Sequence, residues 1–351
     1  MLGTRSELGN ITYFQGSSFA IGPVVVPNRV VLTSMSGITD APFRRLAERL
    51  GAGLVVSEMT GCAGPVRGER EAAVRSDGAG IRIHVVQLAG CEARWMAEGA
   101  RIAEAQGSDI IDINMGCPSK QVTNGTAGSA LMRDLDHAVS LIDATVSAVR
   151  VPVTLKMRLG WDASTINAPK LAKRAEAAGI KLITVHGRTR CQFFQDQPDW
   201  RAVRMVKEAA SIPIVVNGDI RSCADAINAL ADSGGDAVMM GCAVQRRPWL
   251  PGQVARYFAT GVSIGAPPLT EQFNLIDALY DEMLRHHGAE LGRRHARKHL
   301  GWVLDSPAAT AGAPVALLKQ HRSRILTTEE PARARRLLAE AYNDFSSRAA
   351  A

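Results

Sequence analysis

Ile110-Ile111-Asp112-Ile113-Asn114-Met115-Gly116-Cys117-Pro118-Ser119-Lys120 reads as a buried strand that runs into a loop. The β-branched apolar run supplies the strand, and the Gly and Pro behind it supply the stop. Gly116 permits close approach of a ligand, and Pro118 fixes the exit of the chain. A lone Cys is more often a small buried hydrophobe than a catalyst. Here Asn114, Ser119 and Lys120 surround Cys117 with polar groups, which points to a thiol facing a cleft.

Outward from this stretch the same alternation of apolar strand, polar loop and amphipathic helix recurs. Strands are expected at Val30–Ser34, Leu54–Ser57, Ile83–Leu88, Ile110–Asn114, Val153–Met157, Leu182–Val185, Ile214–Asn217 and Ala237–Met240. Helices are expected at Ala41–Leu50, Glu92–Gln106, Leu135–Val149, Pro169–Ala178, Trp200–Ala210 and Cys223–Ser233, several of them stopped by Gly, with a weaker helical pattern over Gly64–Gly80. Eight strands alternating with helices make an α/β (β/α)8 TIM barrel. The rival is an open doubly wound sheet, but no Gly-x-Gly-x-x-Gly follows the first strand. Beyond Trp249-Leu250-Pro251-Gly252 the strand pattern ends. Glu271–His287, Arg293–Leu304 and Ala332–Phe345 then read as helices, joined by Ala/Gly/Pro-rich connectors at Gly261–Pro268 and Ser306–Pro314. The expected division is a barrel over 17–256 and a smaller all-α domain over 257–351. Residues 1–16 have no periodic pattern, and Tyr13-Phe14-Gln15-Gly16 resembles a protease-site remnant, so they are set aside as a leader.

The chain has 351 residues, 46% of them hydrophobic, enough for a large core and too many for a disordered chain. No apolar run reaches membrane-span length and no secretory signal is recognisable. Cys62, Cys91, Cys117, Cys191, Cys223 and Cys242 form no Cys-x-x-Cys pair, which fits neither a zinc site nor a disulfide framework and points to the cytoplasm. No metal is expected. A formal net charge of +7 favours an anionic partner.

In a (β/α)8 barrel the active site lies at the carboxyl ends of the strands. Those ends are Thr33-Ser34-Met35-Ser36-Gly37, Ser57-Glu58-Met59, Gln87-Leu88, Asn114 to Cys117, Lys156-Met157-Arg158, His186-Gly187-Arg188, Asn217-Gly218-Asp219 and Gly241-Cys242. Each has an ordinary reading by itself: a rim lysine, a satisfied buried histidine, a turn. One polar group at nearly every strand end is harder to explain that way. The ends of the seventh and eighth strands, Asn217-Gly218-Asp219 and Gly241-Cys242, stand where such barrels commonly hold phosphate, with free backbone N–H groups. Lys156, Gln87 and Asn114 suit a planar heteroaromatic ring with carbonyl groups, such as a flavin.

The ordered series Thr33 to Arg44, Gln87-Leu88-Ala89-Gly90, Asp112 to Pro118, Lys156-Met157-Arg158, His186-Gly187-Arg188-Thr189 and Asn217-Gly218-Asp219 resembles the motif series of the tRNA-dihydrouridine synthases, nearest the bacterial B type. The resemblance runs from about residue 17 to residue 324 and includes Lys298-His299-Leu300-Gly301-Trp302 of the helical part. It implies an FMN-dependent enzyme that uses NADPH to reduce the C5=C6 bond of uridine in tRNA. Matched residue by residue, Ser34, Met35, Ser36, Gln87, Lys156, Asn217, Gly218, Asp219, Gly241 and Cys242 would line FMN, with His186 beside them. Cys117 would be the proton donor, and Asn114 and Arg158 would meet the substrate. Two departures stand out: the family's usual Ala-Pro-Met-Ala-Gly is Thr33-Ser34-Met35-Ser36-Gly37 here, and its usual Gly-Arg is Gly241-Cys242. The second removes a cation from the phosphate end, or passes the task to Arg246 or Arg247.

The expected mechanism passes a hydride to C6 of uracil while a thiol still protonated at neutral pH protonates C5. The base must leave its stack to reach a barrel mouth. Arg293, Arg294, Arg297 and Lys298, within a basic run from Arg285 to His299, are the expected phosphate contacts, and Lys319, Arg322 and Arg324 add a second cluster. Alternatives are an FMN barrel acting on a small molecule and a non-catalytic RNA-binding barrel.

Overall fold

Eight short apolar runs pair in parallel around a closed sheet in a computed structural model that describes residues 18–349. It also describes the backbone of a hairpin, Arg5–Leu8 with Ile11–Phe14; the leader expected at 1–16 otherwise lies outside the described residues. The strands are β1 (Val30–Leu32), β2 (Leu54–Val55), β3 (Val85–Ala89), β4 (Ile110–Met115), β5 (Val153–Arg158), β6 (Leu182–His186), β7 (Ile214–Asn217) and β8 (Ala237–Met240). Their order around the sheet is β2-β1-β8-β7-β6-β5-β4-β3, and a two-residue segment, Thr60–Gly61, pairs with the free edge of β3. That segment and β2 come from one stretch of chain, and Val56 bridges Val85 between them, so the sheet closes on itself. The fold is the expected barrel and not the open sheet.

Helices follow the strands: α1 (Ala41–Arg49), α2 (Ala93–Ala105), α3 (Leu135–Ala148), α4 (Ala168–Ala177), α5 (Trp200–Ala209) and α6 (Cys223–Ser233). Asp40 caps α1 by accepting from the Phe43 N–H at 3.1 Å, with a Pro in the first turn. The glycines expected to stop helices, at 51, 107, 179 and 234, all have positive φ. The weak pattern over 64–80 gives two short helices, Ala63–Val66 and Arg70–Arg75. A helix that the sequence did not announce, α7 (Leu250–Thr260), follows the barrel strands.

Alternation along each strand divides the barrel interior into two levels. At the amino ends, Val31, Leu54, Val85, Ile110, Leu182, Val215 and Ala237 form an apolar floor, closed from below by Ile21 and Val26 of the hairpin Phe19–Ile21 with Val24–Val26. Two residues further along the same inward rows, the side chains are Gln87, Asp112, Thr154 and Thr184, all buried. Residues of the opposite parity, such as Leu155, Met157, Ile183 and Val185, are fully buried on the other face of the sheet. Burial on both faces is what an all-parallel sheet requires.

By its contacts the chain forms two units, Met1–Gly241 with Pro251–Ser263, and Cys242–Leu250 with Ile264–Ala351. The second unit consists of α8 (Leu269–His287), α9 (Ala289–Val303), α10 (Val315–Thr327), α11 (Pro331–Ala349) and the short helices Cys242–Arg246 and Asp305–Thr310. The last of these stands where the Ser306–Pro314 connector was expected. Ile276, Leu279, Tyr280 and Met283 line one buried stripe of α8, at helical spacing. Gly292 lets α9 come close to α8, because a Cβ there would stand 2.6 Å from the Met283 carbonyl oxygen.

Candidate active site

In-register pairing decides which side chains meet at the upper level. Asn114 stands opposite Lys156, Arg158 opposite His186, and His186 opposite Asn217. One level below, Asp112 lies between its neighbours Gln87 and Thr154. Its carboxylate accepts from Gln87 Nε2 at 2.6 Å and from Thr154 Oγ1 at 2.6 Å. Burial pushes the Asp112 carboxyl up, and these two hydrogen bonds, with Lys156, pull the other way. Gln87 Oε1 in turn accepts from Asn114 Nδ2 at 2.8 Å. Gln87 and Asn114 thus spend most of their capacity inside the protein, each keeping one amide N–H beyond these bonds.

Asn114 also builds the Cys117 loop. Its Oδ1 accepts the backbone N–H of Gly116 at 3.0 Å and of Cys117 at 2.8 Å. On the far side, the Cys117 carbonyl accepts from the N–H and the hydroxyl of Ser129. Cys117 is half-buried, so the loop is fixed while the residue keeps access to solvent. Arg158, expected at the substrate, is engaged with carbonyls: Nε donates to Gly116 at 2.9 Å, and Nη1 to Thr189 at 2.7 Å and Phe193 at 2.8 Å. It ties the Cys117 loop to the loop after β6. Burial first, then Arg188, brings its guanidinium down to about 10.

Lys156 is buried, and no hydrogen bond or ion pair holds its amine among the described residues. Burial, then Arg158, pulls the amine down to about 8, with Asp112 and Cys117 opposing. His186 is buried with Nδ1 unpartnered, and burial plus Arg158, Lys156 and Arg188 hold the imidazole well below its ordinary value, so the ring is neutral at pH 7. An unpaired buried cation and an orphaned ring nitrogen on adjacent strands fit an electron-rich planar group with hydrogen-bonding edges.

At the proposed phosphate end, Asn217 Nδ2 donates to the Met239 carbonyl at 2.8 Å. Gly218, at φ 125, has its carbonyl bonded by the Trp200 indole N–H at 2.9 Å. The Asp219 carboxylate is taken by Arg188 at 2.6 Å and Arg221 at 3.0 Å, so only its backbone remains to offer an anion. At Gly241 a Cβ would press on the Thr33 side chain at 3.1 Å. Cys242 is exposed and begins the short helix Cys242–Arg246. Arg246, a candidate replacement for the missing cation, is paired with Asp305 at 2.8 Å. At the first strand, Ser34 and Met35 are half-buried and Ser36 is exposed, and the Met35 N–H donates to Thr39 Oγ1 at 2.9 Å.

Residues 31–343 match the family model described as "Dihydrouridine synthase (Dus)". The chain belongs to the dihydrouridine synthase family. A relative from Rhizobium leguminosarum bv. phaseoli, named "Probable tRNA-dihydrouridine synthase", is 52% identical over 307 residues, 87% of this chain and 92% of that protein. A second, "tRNA-dihydrouridine synthase B" of Xanthomonas campestris pv. campestris, is 46% identical over 283 residues, 80% of this chain and 85% of its own. Among solved structures, a 2-naphthoyl-CoA reductase in complex with 2-naphthoyl-CoA superposes with a TM-score of 0.55 at 14% identity, over 68% of this chain and 52% of that one. That likeness is one of fold. As a dihydrouridine synthase, the chain is an enzyme of the oxidoreductase class.

The basic run of this dihydrouridine synthase is less open than its charge count suggests. Arg293 is buried, with Glu290 at 3.1 Å and Glu329 at 4.0 Å. Arg294 is exposed and shares Glu290 at 2.9 Å, while Arg297 and Lys298 are half-buried. Arg322 is bound to Asp305 and Arg324 to Glu340, whereas Lys319 is exposed. Three groups that shape the site were given no role from the sequence. Asp112 anchors the Gln87 amide and is itself held by Thr154, and buried Glu58 accepts the Ile38 N–H at 3.1 Å under the first-strand loop. The signal for Asp112 was present, as an acid in an otherwise apolar strand. A recess of about 330 Å³ between Cys62, Gly90, Cys91 and Trp95 contains none of the candidate residues. Among the described residues no group of three or more His, Cys, Asp or Glu could hold a metal, and no helix is long and apolar enough to cross a membrane.

Proposed function

We propose that this enzyme reduces uridine in tRNA to 5,6-dihydrouridine, with FMN held in the barrel mouth, NADPH as reductant and Cys117 as the acid. The observation that carries this reading is the pairing of Lys156 with Asn114 while Asn114 fixes the Cys117 backbone at 2.8 Å. A cation, an amide and a thiol are thereby collected at two adjacent strand ends of a barrel whose family reduces uridines. The relatives' names support tRNA as the substrate.

When bound, FMN supplies the electron pair and hydrogen that go to C6, and NADPH replenishes them. The protein's part is proton, charge and position. Cys117 gives its Sγ–H proton to C5 as negative charge develops across the enolate-like C4 carbonyl. The net change is uridine, NADPH and a proton to dihydrouridine and NADP⁺. Lys156, charged below about pH 8, would offset negative charge on a flavin held there. Neutral His186 offers Nδ1 as donor or acceptor to the same ring. Gln87 and Asn114 offer their remaining amide N–H groups, and Ser34, Met35 and Ser36 close the first-strand side. Asn217, Gly218, Asp219, Gly241 and Cys242 would meet the phosphate through backbone N–H groups, without the Arg its family usually has there. Arg158 serves as a positioning residue, because its donors hold the loops on both sides of the mouth. The helical residues 257–351 would bind the tRNA backbone, with exposed Arg294 and Lys319 as the first contacts.

Unmodified tRNA incubated with protein, FMN and NADPH, then digested to nucleosides, tests the reading by mass. A uridine gaining two hydrogens at a mapped position is expected. Unchanged tRNA, with FMN bound and NADPH present, overturns it.

A further inference from the structure

Two loops at the rim carry aromatic and guanidinium groups that the reaction does not use. Trp161, after β5, has the guanidinium carbon of Arg133 at 4.9 Å and that of Arg190 at 4.7 Å from its ring centroid. The loops run side by side, since the Arg190 N–H donates to the Gly160 carbonyl and the Cys191 N–H to that of Trp161. Arg133 is exposed, and Arg190 keeps a buried Nε without a partner. Further along, Phe193 and Phe194 stand 41% and 61% exposed, edge to face with centroids 4.9 Å apart. Phe193 sits at φ 56, a conformation that bulky side chains rarely adopt and that costs free energy. Arg158 stabilises it by donating to the Phe193 carbonyl at 2.8 Å, and its guanidinium carbon lies 5.6 Å from the Phe194 centroid.

Two exposed phenyl rings and a half-buried indole beside cations match the chemistry of single-stranded nucleic acid, whose bases stack and whose phosphates need charge. Three of the loop carboxylates are already engaged: Asp162 accepts from Ser164 and Thr165, and Asp134 and Asp199 cap helices. Asp196 is exposed and binds Arg188 through its backbone carbonyl, so its carboxylate is the one acidic group that these bonds leave at the edge of the platform. The same Arg158 that supports Phe193 bonds Gly116, next to Cys117, so the rings stand one guanidinium away from the proposed acid. We propose that Phe193, Phe194 and the Arg133–Trp161–Arg190 stack form a platform for the nucleotides flanking the target uridine. The rings compensate the stacking that the RNA gives up when the base is drawn out. This inference rests on the RNA-reducing reading above.

The test uses the full FMN-loaded chain with Phe194→Ala, Trp161→Ala, Phe194→Tyr and Trp161→Phe. A fluorescent single-stranded RNA with a central uridine reports affinity by anisotropy at fixed salt, and unmodified tRNA reports kcat/KM. Each Ala variant should bind the RNA about tenfold more weakly and lose a similar factor in kcat/KM, with Tyr and Phe restoring both. Thermal melting and flavin absorbance should stay at wild-type values for Phe194→Ala. Wild-type affinity in both Ala variants overturns the platform, whether or not dihydrouridine forms, and points to a protein partner for the rings. Absence of RNA binding by the wild type also overturns it. If the wild type binds RNA and the Ala variants weaken it, yet no dihydrouridine appears, the platform stands and the proposed reaction fails.

Discussion

At the scale of single residues, the proposed flavin site depends on how Lys156 holds its charge. In the free protein its amine is pulled to about 8 by burial and by Arg158. An electron-rich ring bound against it would favour the charged form and raise that value. FMN affinity should therefore be flat below about pH 8 and weaken above it, by up to about tenfold per pH unit, as binding begins to require proton uptake. Lys156→Met should bind FMN weakly at every pH and show no break near 8. Titrating flavin fluorescence against protein from about pH 7 to pH 9.5 checks this, and a pH-independent wild-type affinity would remove Lys156 from the cofactor. Stability should move in the opposite sense. Folded Lys156 binds fewer protons than the unfolded chain between about 8 and its ordinary 10.5, so its contribution improves as pH rises through that window. The sequence placed Lys156, Asn114, His186 and Cys117 at strand ends, because each follows an apolar run broken by a polar residue. It could not show that Arg158 spends its donors on the Gly116, Thr189 and Phe193 carbonyls, since those partners come from loops far away in the chain.

At the scale of elements, the barrel floor is completed by a hairpin rather than by a strand of the sheet. Ile21 is fully buried in it beneath Val85, Ile110 and Val215. Ile21→Ala should cost about 2–5 kcal/mol, read as a lower urea midpoint at unchanged slope, and a loss under about 1 kcal/mol would mean that the hairpin is not seated there. The strands were legible where β-branched runs end in Asn, Gly or a charged residue, as at Ile110–Met115 and Ile214–Asn217. The second strand was less so: nothing in Ser57-Glu58-Met59 announces that the chain leaves β1 and crosses to β3. Helix α7 was missed because Pro251 and Gly252 occupy its first turn and read as a breaker. Gly252 has a tertiary reason, since a Cβ there would strike the Leu50 carbonyl at 1.8 Å. Val315–Thr327 was missed for a similar cause, lying between Pro314 and the Thr-rich turn before Pro331.

At the scale of the molecule, the chain's charge reads differently once it is folded. The net +7 and the run from Arg285 to His299 suggested a continuous basic face. Folding buries Arg293 and pairs it with Glu290, and pairs Arg285 with Asp281, so spacing along the chain overstated what reaches solvent. The placement of polar groups at the strand ends was more legible, while the apolar floor and the layer of hydrogen-bonded Asp112 and Gln87 beneath them emerge only from the fold. The central claim is that this layer presents Cys117 as the acid for a uridine reduced at the mouth. Rapid mixing of FMN-reduced protein with unmodified tRNA, without oxygen, tests that claim most directly. Wild-type protein should reoxidise its flavin in step with dihydrouridine formation. Cys117→Ala should bind FMN and be reduced by NADPH normally, then reoxidise about 10²–10⁴ times more slowly. Reoxidation of the Ala variant by tRNA at the wild-type rate would contradict the account.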